Sequence, residues 1–308
     1  MERVAHHVIS IGGGKGGVGK SVVAANFAVA LAMSGRQVVL VDADLGAANQ
    51  HTLFGLKGTG PTLQSFLEHE NENLEAARVD TGVRRLSLVR GAAAVYGAAN
   101  PTHGQKERLV RHVLALDAEI IVVDVGAGTG FNQLDLFNAA EIKVLVMTPQ
   151  LTSVENAYGF VKGAVYRALM PVLRSYGFEF LLEGNRPGSE TARLSAVLKE
   201  AIDCSPKLEA EVREVLRSLS VHLFGNMVNT TRETPVFAAV GKMMRDFLGI
   251  DSTVLGFARM SLGVHASINE RRPVLVNRRD DEASVTFWRA ARSLVEHPHP
   301  HRAGVRAA

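Results

Sequence analysis

Residues 14–21 read Gly-Lys-Gly-Gly-Val-Gly-Lys-Ser, between an apolar run, HVISIG at 7–12, and an Ala-rich run over 21–34. No other feature restricts the fold of this chain so much. Glycines let the backbone turn so that successive N–H groups face one point, and a helix starting there adds the positive end of its dipole. Strand, glycine-rich turn and helix in that order make a cradle for phosphate. Gly14, Gly16, Gly17, Val18 and Gly19 line the loop. Lys20 then reaches the β- and γ-phosphates of a nucleoside triphosphate, and the Ser21 hydroxyl ligates Mg²⁺. A plain glycine-rich turn does not account for two lysines in the motif. Lys15 is the second lysine. Coming directly after Gly14, it cannot easily fold back onto phosphates held by its own loop.

The rest of the chain repeats the strand-then-helix rhythm. Short runs rich in Val, Ile and Leu at 7–12, 37–42, 86–90, 119–125, 143–149, 221–228 and 253–258 read as strands buried on both faces. Helical runs fall at 21–34, 62–68, 105–115, 152–170, 233–248 and 283–295. The expected fold is α/β: a single P-loop NTPase domain over residues 1–296, with a mostly parallel sheet of about seven or eight strands and helices on both faces. Residues 171–219 break the rhythm with a mixed-charge, Leu-rich stretch. They are expected to form a helical insertion between the fifth and sixth strands, since so short a segment rarely supports its own core. The His- and Pro-containing tail, 297–308, is expected to be disordered.

Composition excludes several classes. With 46% hydrophobic and 21% charged residues the chain is an ordinary globular one, and a net charge of +3 over 308 residues does not imply nucleic acid. A single cysteine, Cys204, rules out a disulfide or an all-cysteine metal site within one chain. No uninterrupted apolar run is long enough to span a bilayer, and MERVAHH has no signal-peptide core. The expectation is a cytoplasmic protein, peripheral at most to the inner membrane.

In a parallel sheet, ligands gather at the carboxyl ends of strands. There the second run ends in DADLGAAN, which brings Asp42 and Asp44 beside the loop to act through water on Mg²⁺ or on an attacking water. The fourth reads IIVVDVGAGTG: four apolar residues and then an aspartate, the pattern of a Walker B strand. Asp124 would hold Mg²⁺ through its water shell, and Gly126 would let a backbone N–H approach the γ-phosphate.

The motif KGGVGKS, with Lys15 at its head, resembles the deviant Walker A of the MinD/ParA family of P-loop ATPases. The resemblance covers nearly the whole chain, and DADLGAANQHTLFGL and DVGAGTG are similar to that family's two switch segments. It implies an ATP-dependent homodimer in which Lys15 enters the partner's site, as an arginine finger does; such groups are worth roughly 10³–10⁵ in rate. It also implies that Asp44 orients the attacking water, that Lys15, Lys20 and Asp44 are the catalytic set, and that Asp42 either contacts the magnesium waters or supports the groups that do. An asparagine at the end of the strand 221–228 would read adenine: Asn226 matches best, with Asn229 the competitor. Since no NKxD segment is present to read guanine, ATP and Mg²⁺ are the expected ligands.

Within the family, TPQLTSVENAYGFVKG, GPTLQSFL, GNMVNTTRE and INERRPVL resemble the flagellar-number regulator branch (FlhG, also called FleN). That branch implies a switch that positions or counts a machine such as the flagellum or the division apparatus, with hydrolysis stimulated by a regulatory protein. Two alternatives stay open. One is a ParA-type partition ATPase with nonspecific DNA contact, for which Arg271, Arg272, Arg278 and Arg279 are candidates. The other is a metabolic ligase or amidotransferase of the dethiobiotin synthetase kind. Iron–sulfur relatives bridge a cluster with cysteines from both subunits, usually two per chain, and this chain has one.

Overall fold

The computed structural model describes residues 7–57, 59–68, 73–91, 102–183 and 194–296. The tail 297–308 and part of the insertion, 184–193, lie outside the described residues.

Eight strands form one sheet in the order β3-β4-β2-β5-β1-β6-β7-β8. They are β1 (His7–Gly12), β2 (Val38–Ala43), β3 (Arg78–Asp80), β4 (Leu86–Val89), β5 (Ile120–Val125), β6 (Ile142–Met147), β7 (Val221–Val228) and β8 (Ser252–Arg259). Every pairing is parallel except β3 with β4. The seven runs read from sequence are all strands, each within two residues of its expected ends, but the last, β8, is not buried on both faces: it is an edge strand and largely open to solvent. The eighth strand, β3, has three residues and shows no alternation that a sequence pattern could reveal.

The longer helices are α1 (Lys20–Met33), α4 (His103–Leu114), α5 (Phe131–Ala139), α6 (Leu151–Ser175), α8 (Leu194–Cys204), α9 (Pro206–Ser218), α10 (Pro235–Met243) and α13 (Glu282–Glu296). Short turns of helix complete the set: α2 (Gln50–Leu53), α3 (Leu63–Leu67), α7 (Phe180–Glu183), α11 (Leu262–Asn269) and α12 (Val274–Asn277). One face of the sheet packs on α1, α12 and α13. The other packs on α3, α4 and α5 at one end, and on α6, α8, α9 and α10 at the other.

The helix that leaves the glycine-rich loop is held from several sides. Phe27 of α1 meets Phe224 of β7 edge-on at 5.3 Å and Phe287 of α13 at 6.4 Å, all three being buried. Burial of each ring contributes about 1.5–3 kcal/mol. Asn26 takes a hydrogen bond from the Leu275 backbone at 3.1 Å, fastening α1 to α12. The loop therefore sits on a rigid support.

Several elements depart from the expected helices, among them α2, α11 and α12, which match no expected run. The run expected to end at Met170 continues through Pro171 to Ser175, although proline removes a backbone donor. Leu169 and Leu173, both fully buried, hold the last turns onto the core. The run 233–248 starts its α-helix at Pro235, a residue suited to the first helical position, and ends in a wider π turn, Met244–Leu248. The sequence pattern does not show α5, because FNQLDLFNA has only a weak apolar stripe. Helices α8 and α9 of the 171–219 stretch share one core with α6, β6 and β7, through Leu198, Leu208 and Val212.

Candidate nucleotide-binding site

β1 ends at Gly12 in the middle of the sheet, and α1 begins at Lys20. The loop between them is pressed against its neighbours. A Cβ on Gly14 would lie inside 3.0 Å of the Asn156 backbone in the first turns of α6. Gly19 has φ +88°, and a Cβ there would run into the Asn226 amide. Neither position has room for a side chain, so both glycines are dictated by packing as well as by the turn.

The two lysines take opposite directions. Lys20 is 7% exposed and its Nζ donates to the Lys15 carbonyl at 3.0 Å, so the ammonium spans its own loop. Burial pushes its pKa down, opposed by the negative charges of Asp124 and Asp44. Lys15 is exposed on the rim, and its Nζ lies 3.4 Å from Thr152 Oγ1 at the start of α6.

The carboxylates converge on the loop because β5 lies between β1 and β2. Asp42 and Asp124 are direct register partners on β2 and β5, and both are at most 1% exposed. Burial, then the charge of Asp124, pushes Asp42 up to about 8. Burial also raises Asp124, to about 6, against hydrogen bonds from Gln50 and Ser21 and the positive charge of Lys20. Asp44 lies just past the end of β2 and is half-buried. Its Oδ1 accepts from the backbone N–H groups of Gly46 and Ala47 at 3.1 and 3.0 Å. Gly126 is buried directly beside it, since a Cβ on Gly126 would lie 3.0 Å from Asp44 Cγ. The structure thus brings Lys20, Ser21, Asp42, Asp44, Asp124 and Gly126 into one cluster against the loop.

Asn226 arrives from β7, 208 residues along the chain from its partner. Its Nδ2 donates to the Val18 carbonyl at 2.9 Å, so this side chain braces the loop. The resemblance has it read adenine; one of its two N–H donors is engaged by the loop, which leaves the second N–H and Oδ1. Asn229 is exposed at the end of the same strand, and its backbone N–H donates to Glu233 at 2.8 Å. Between them Met227 has φ +55°, a left-handed conformation rare for a non-glycine residue.

Sequence reasoning missed Gln50. It is fully buried, and its Nε2 donates to Asp124 Oδ2 at 2.7 Å and to the Ser21 carbonyl at 3.0 Å. Nothing in the pattern around it distinguishes a buried glutamine from an exposed one.

The donor set fits a magnesium ion. Asp124 Oδ1 is buried without a hydrogen-bond partner, its other oxygen is held by Gln50, and hard oxygen donors such as this carboxylate and the Ser21 hydroxyl suit Mg²⁺. Among the described residues no helix is long and apolar enough to cross a membrane.

A central parallel strand, a glycine loop opening a helix and an aspartate closing the adjacent strand define a P-loop NTPase. Residues 4–164, just over half of the chain, match the ParA family profile, described as NUBPL iron-transfer P-loop NTPase, and the chain belongs to that family. It is 35% identical over 157 residues to the antiactivator FleN of Pseudomonas aeruginosa, covering 50% of this chain and 55% of FleN. It is 33% identical over 165 residues to the flagellum site-determining protein YlxH of Helicobacter pylori, covering 50% of this chain and 52% of YlxH. The matched region thus spans about half the length of these curated relatives. The resemblance to the flagellar-number regulators therefore holds. The fold matches the septum site-determining protein MinD from Pyrococcus horikoshii, solved with Mg-ADP, with a TM-score of 0.65 at 20% identity over 94% of this chain and 96% of that one.

Proposed function

We propose that this chain is an ATP-dependent dimerising switch: a slow ATP hydrolase whose output is a timed association, used to position or count a machine such as the flagellum or the division apparatus. One observation carries the reading: Lys20 turns inward across its own loop while Lys15 stands exposed on the rim. A rim lysine can reach phosphate held by a second copy of the chain. A cation supplied in trans there stabilises charge that develops during phosphoryl transfer.

In this reading the backbone of 14–19 and Lys20 hold the β- and γ-phosphates. Ser21 would ligate Mg²⁺ directly and Asp124 through water; the ion, when bound, neutralises charge on the phosphate oxygens. Asp44 orients the attacking water, with one carboxylate oxygen fixed by Gly46 and Ala47 so that the other is free to accept. Asp42, deeper in the sheet, supports the turn that follows it. The Gly126 N–H faces the γ-phosphate, and the end of β7, with Asn226 and Asn229, lies along the base. Loss of the γ-phosphate releases 42–49 and 124–130, and the two copies part. A regulatory protein sets the rate of that event. The protein acts in the cytoplasm, with peripheral contact to the inner membrane or nonspecific contact to DNA as its docking surface. The names of FleN and YlxH support the flagellar reading. An iron-transfer role finds little support in a chain with one cysteine.

Molar mass by light scattering tests this for the wild type, Lys15→Ala and Asp44→Ala, each with ADP or Mg·ATP. The expected result is an Asp44→Ala dimer only in ATP and a Lys15→Ala monomer throughout. Monomers in every case, or a dimer indifferent to nucleotide, would refute the trans-lysine switch and favour a small-molecule enzyme.

A further inference from the structure

Gln50 lies in the 42–56 run but has no role assigned to it there, and it touches three parts of the phosphate site. It is the first residue of α2 and directly follows the 42–49 segment. Its backbone N–H donates to Asp42 Oδ2 at 2.9 Å, and its Nε2 donates to Asp124 Oδ2 at 2.7 Å and to the Ser21 carbonyl at 3.0 Å. Both neighbours of Nε2 are acceptors, so chemistry alone fixes which end of the amide faces them. A fully buried amide must be desolvated, which a leucine filling the same space would avoid. Its presence calls for a polar task.

A second observation indicates the task. Gln50 Oε1 and Asp124 Oδ1, acceptors on the two hydrogen-bonded groups, are both buried without a hydrogen-bond partner. Bare buried acceptors call for a donor, and this pair sits beside the phosphate loop, where a ligand or its waters would supply one. The waters around a hard divalent cation are such donors, and the residues that hold an ion's carboxylate in turn tune its affinity.

We infer that Gln50 is a positioning residue of the metal site. It holds Asp124 by Oδ2 so that Oδ1 is presented to the water shell of the cation. Through its backbone bond to Asp42 it ties that carboxylate to the 42–49 segment. The segment and the metal carboxylate then move as one unit: a shift in 42–49 pulls Gln50 and withdraws the donor from Asp124. This inference rests on the Mg·ATP reading above.

Titration with a fluorescent ADP analogue tests it, in EDTA and across a Mg²⁺ series, on the wild type, Gln50→Leu and Gln50→Asn. Leucine removes the amide at similar volume; asparagine keeps the amide but shortens its reach. Loss of residues that orient metal ligands lowers metal affinity roughly 10–100-fold. Both variants should therefore keep metal-free affinity within about twofold while the Mg²⁺ midpoint rises about tenfold or more. Hydrogen exchange over 42–49, slowed by Mg-ADP in the wild type, should stay fast in both. A folded variant with the wild-type Mg²⁺ midpoint overturns the inference. So does equal weakening with and without Mg²⁺, or failure of both variants to fold, since either makes Gln50 a structural support only. A wild type that binds no nucleotide, or binds it without regard to Mg²⁺, refutes the nucleotide reading itself, and the inference falls with it.

Discussion

Gly19→Ala and Asn226→Ala, made singly and together, test whether β7 braces the glycine loop. A Cβ on Gly19 would clash with Asn226 Nδ2, and Asn226 cannot retreat without breaking its 2.9 Å bond to the Val18 carbonyl. Gly19→Ala should therefore carry two penalties. Alanine at φ +88° costs about 1–2 kcal/mol. Displacing Asn226 leaves a buried carbonyl bare, at about 1–3 kcal/mol. Asn226→Ala alone incurs only the second penalty, about 1–3 kcal/mol. In the double variant the clash is gone and the lost bond counts once. The pair should then be less destabilised than the sum of the singles by about 1–3 kcal/mol. Urea unfolding followed by circular dichroism measures this, with the slope checked for constancy across variants. Additivity within about 0.5 kcal/mol would refute the brace.

Two further perturbations follow from the structure. Asp42 and Asp124 carry folded pKa values of about 8 and about 6 against 3.8 when free, so each keeps its proton where the unfolded chain has lost it. Their stabilisation is complete below about pH 4 and is lost as pH rises through 6 and 8, by at most ~1.4 kcal/mol per pH unit for each proton. Lys143, buried and lowered to about 8 from 10.5, has the opposite sign and adds stability from about pH 8 upward. The melting temperature of the nucleotide-free protein should fall from pH 5 to 8 and then rise as Lys143 loses its proton in the folded protein but not in the unfolded one. Asp42→Asn should flatten the fall, and an unchanged slope in that variant would contradict the buried pair. Pro171 is exposed inside α6, so Pro171→Ala restores a helix donor at little loss of packing. It should raise stability by about 2 kcal/mol in urea unfolding, the helical gain less the unfolded-state entropy that proline removes. A loss of stability would show that the helix needs its proline bend.

Much of this protein was legible in the chain itself. The loop 14–21 with its strand before and helix after, the aspartates closing β2 and β5, and the positions of seven strands all follow from local chemistry. Phosphate demands convergent N–H groups in a fixed order, and a strand buried on both faces demands an unbroken apolar run. The tertiary structure alone decided how distant segments meet. It set β5 between β1 and β2, which makes Asp42 and Asp124 neighbours in a dry interior. It carried Asn226 from β7 onto the Val18 carbonyl, and it buried Gln50 among Ser21, Asp42 and Asp124. It also ran α6 through Pro171, where buried leucines on either side outweigh a local rule. Strand order and burial arise from pairing and packing between segments far apart in sequence. No periodicity within one segment records which partner it will find.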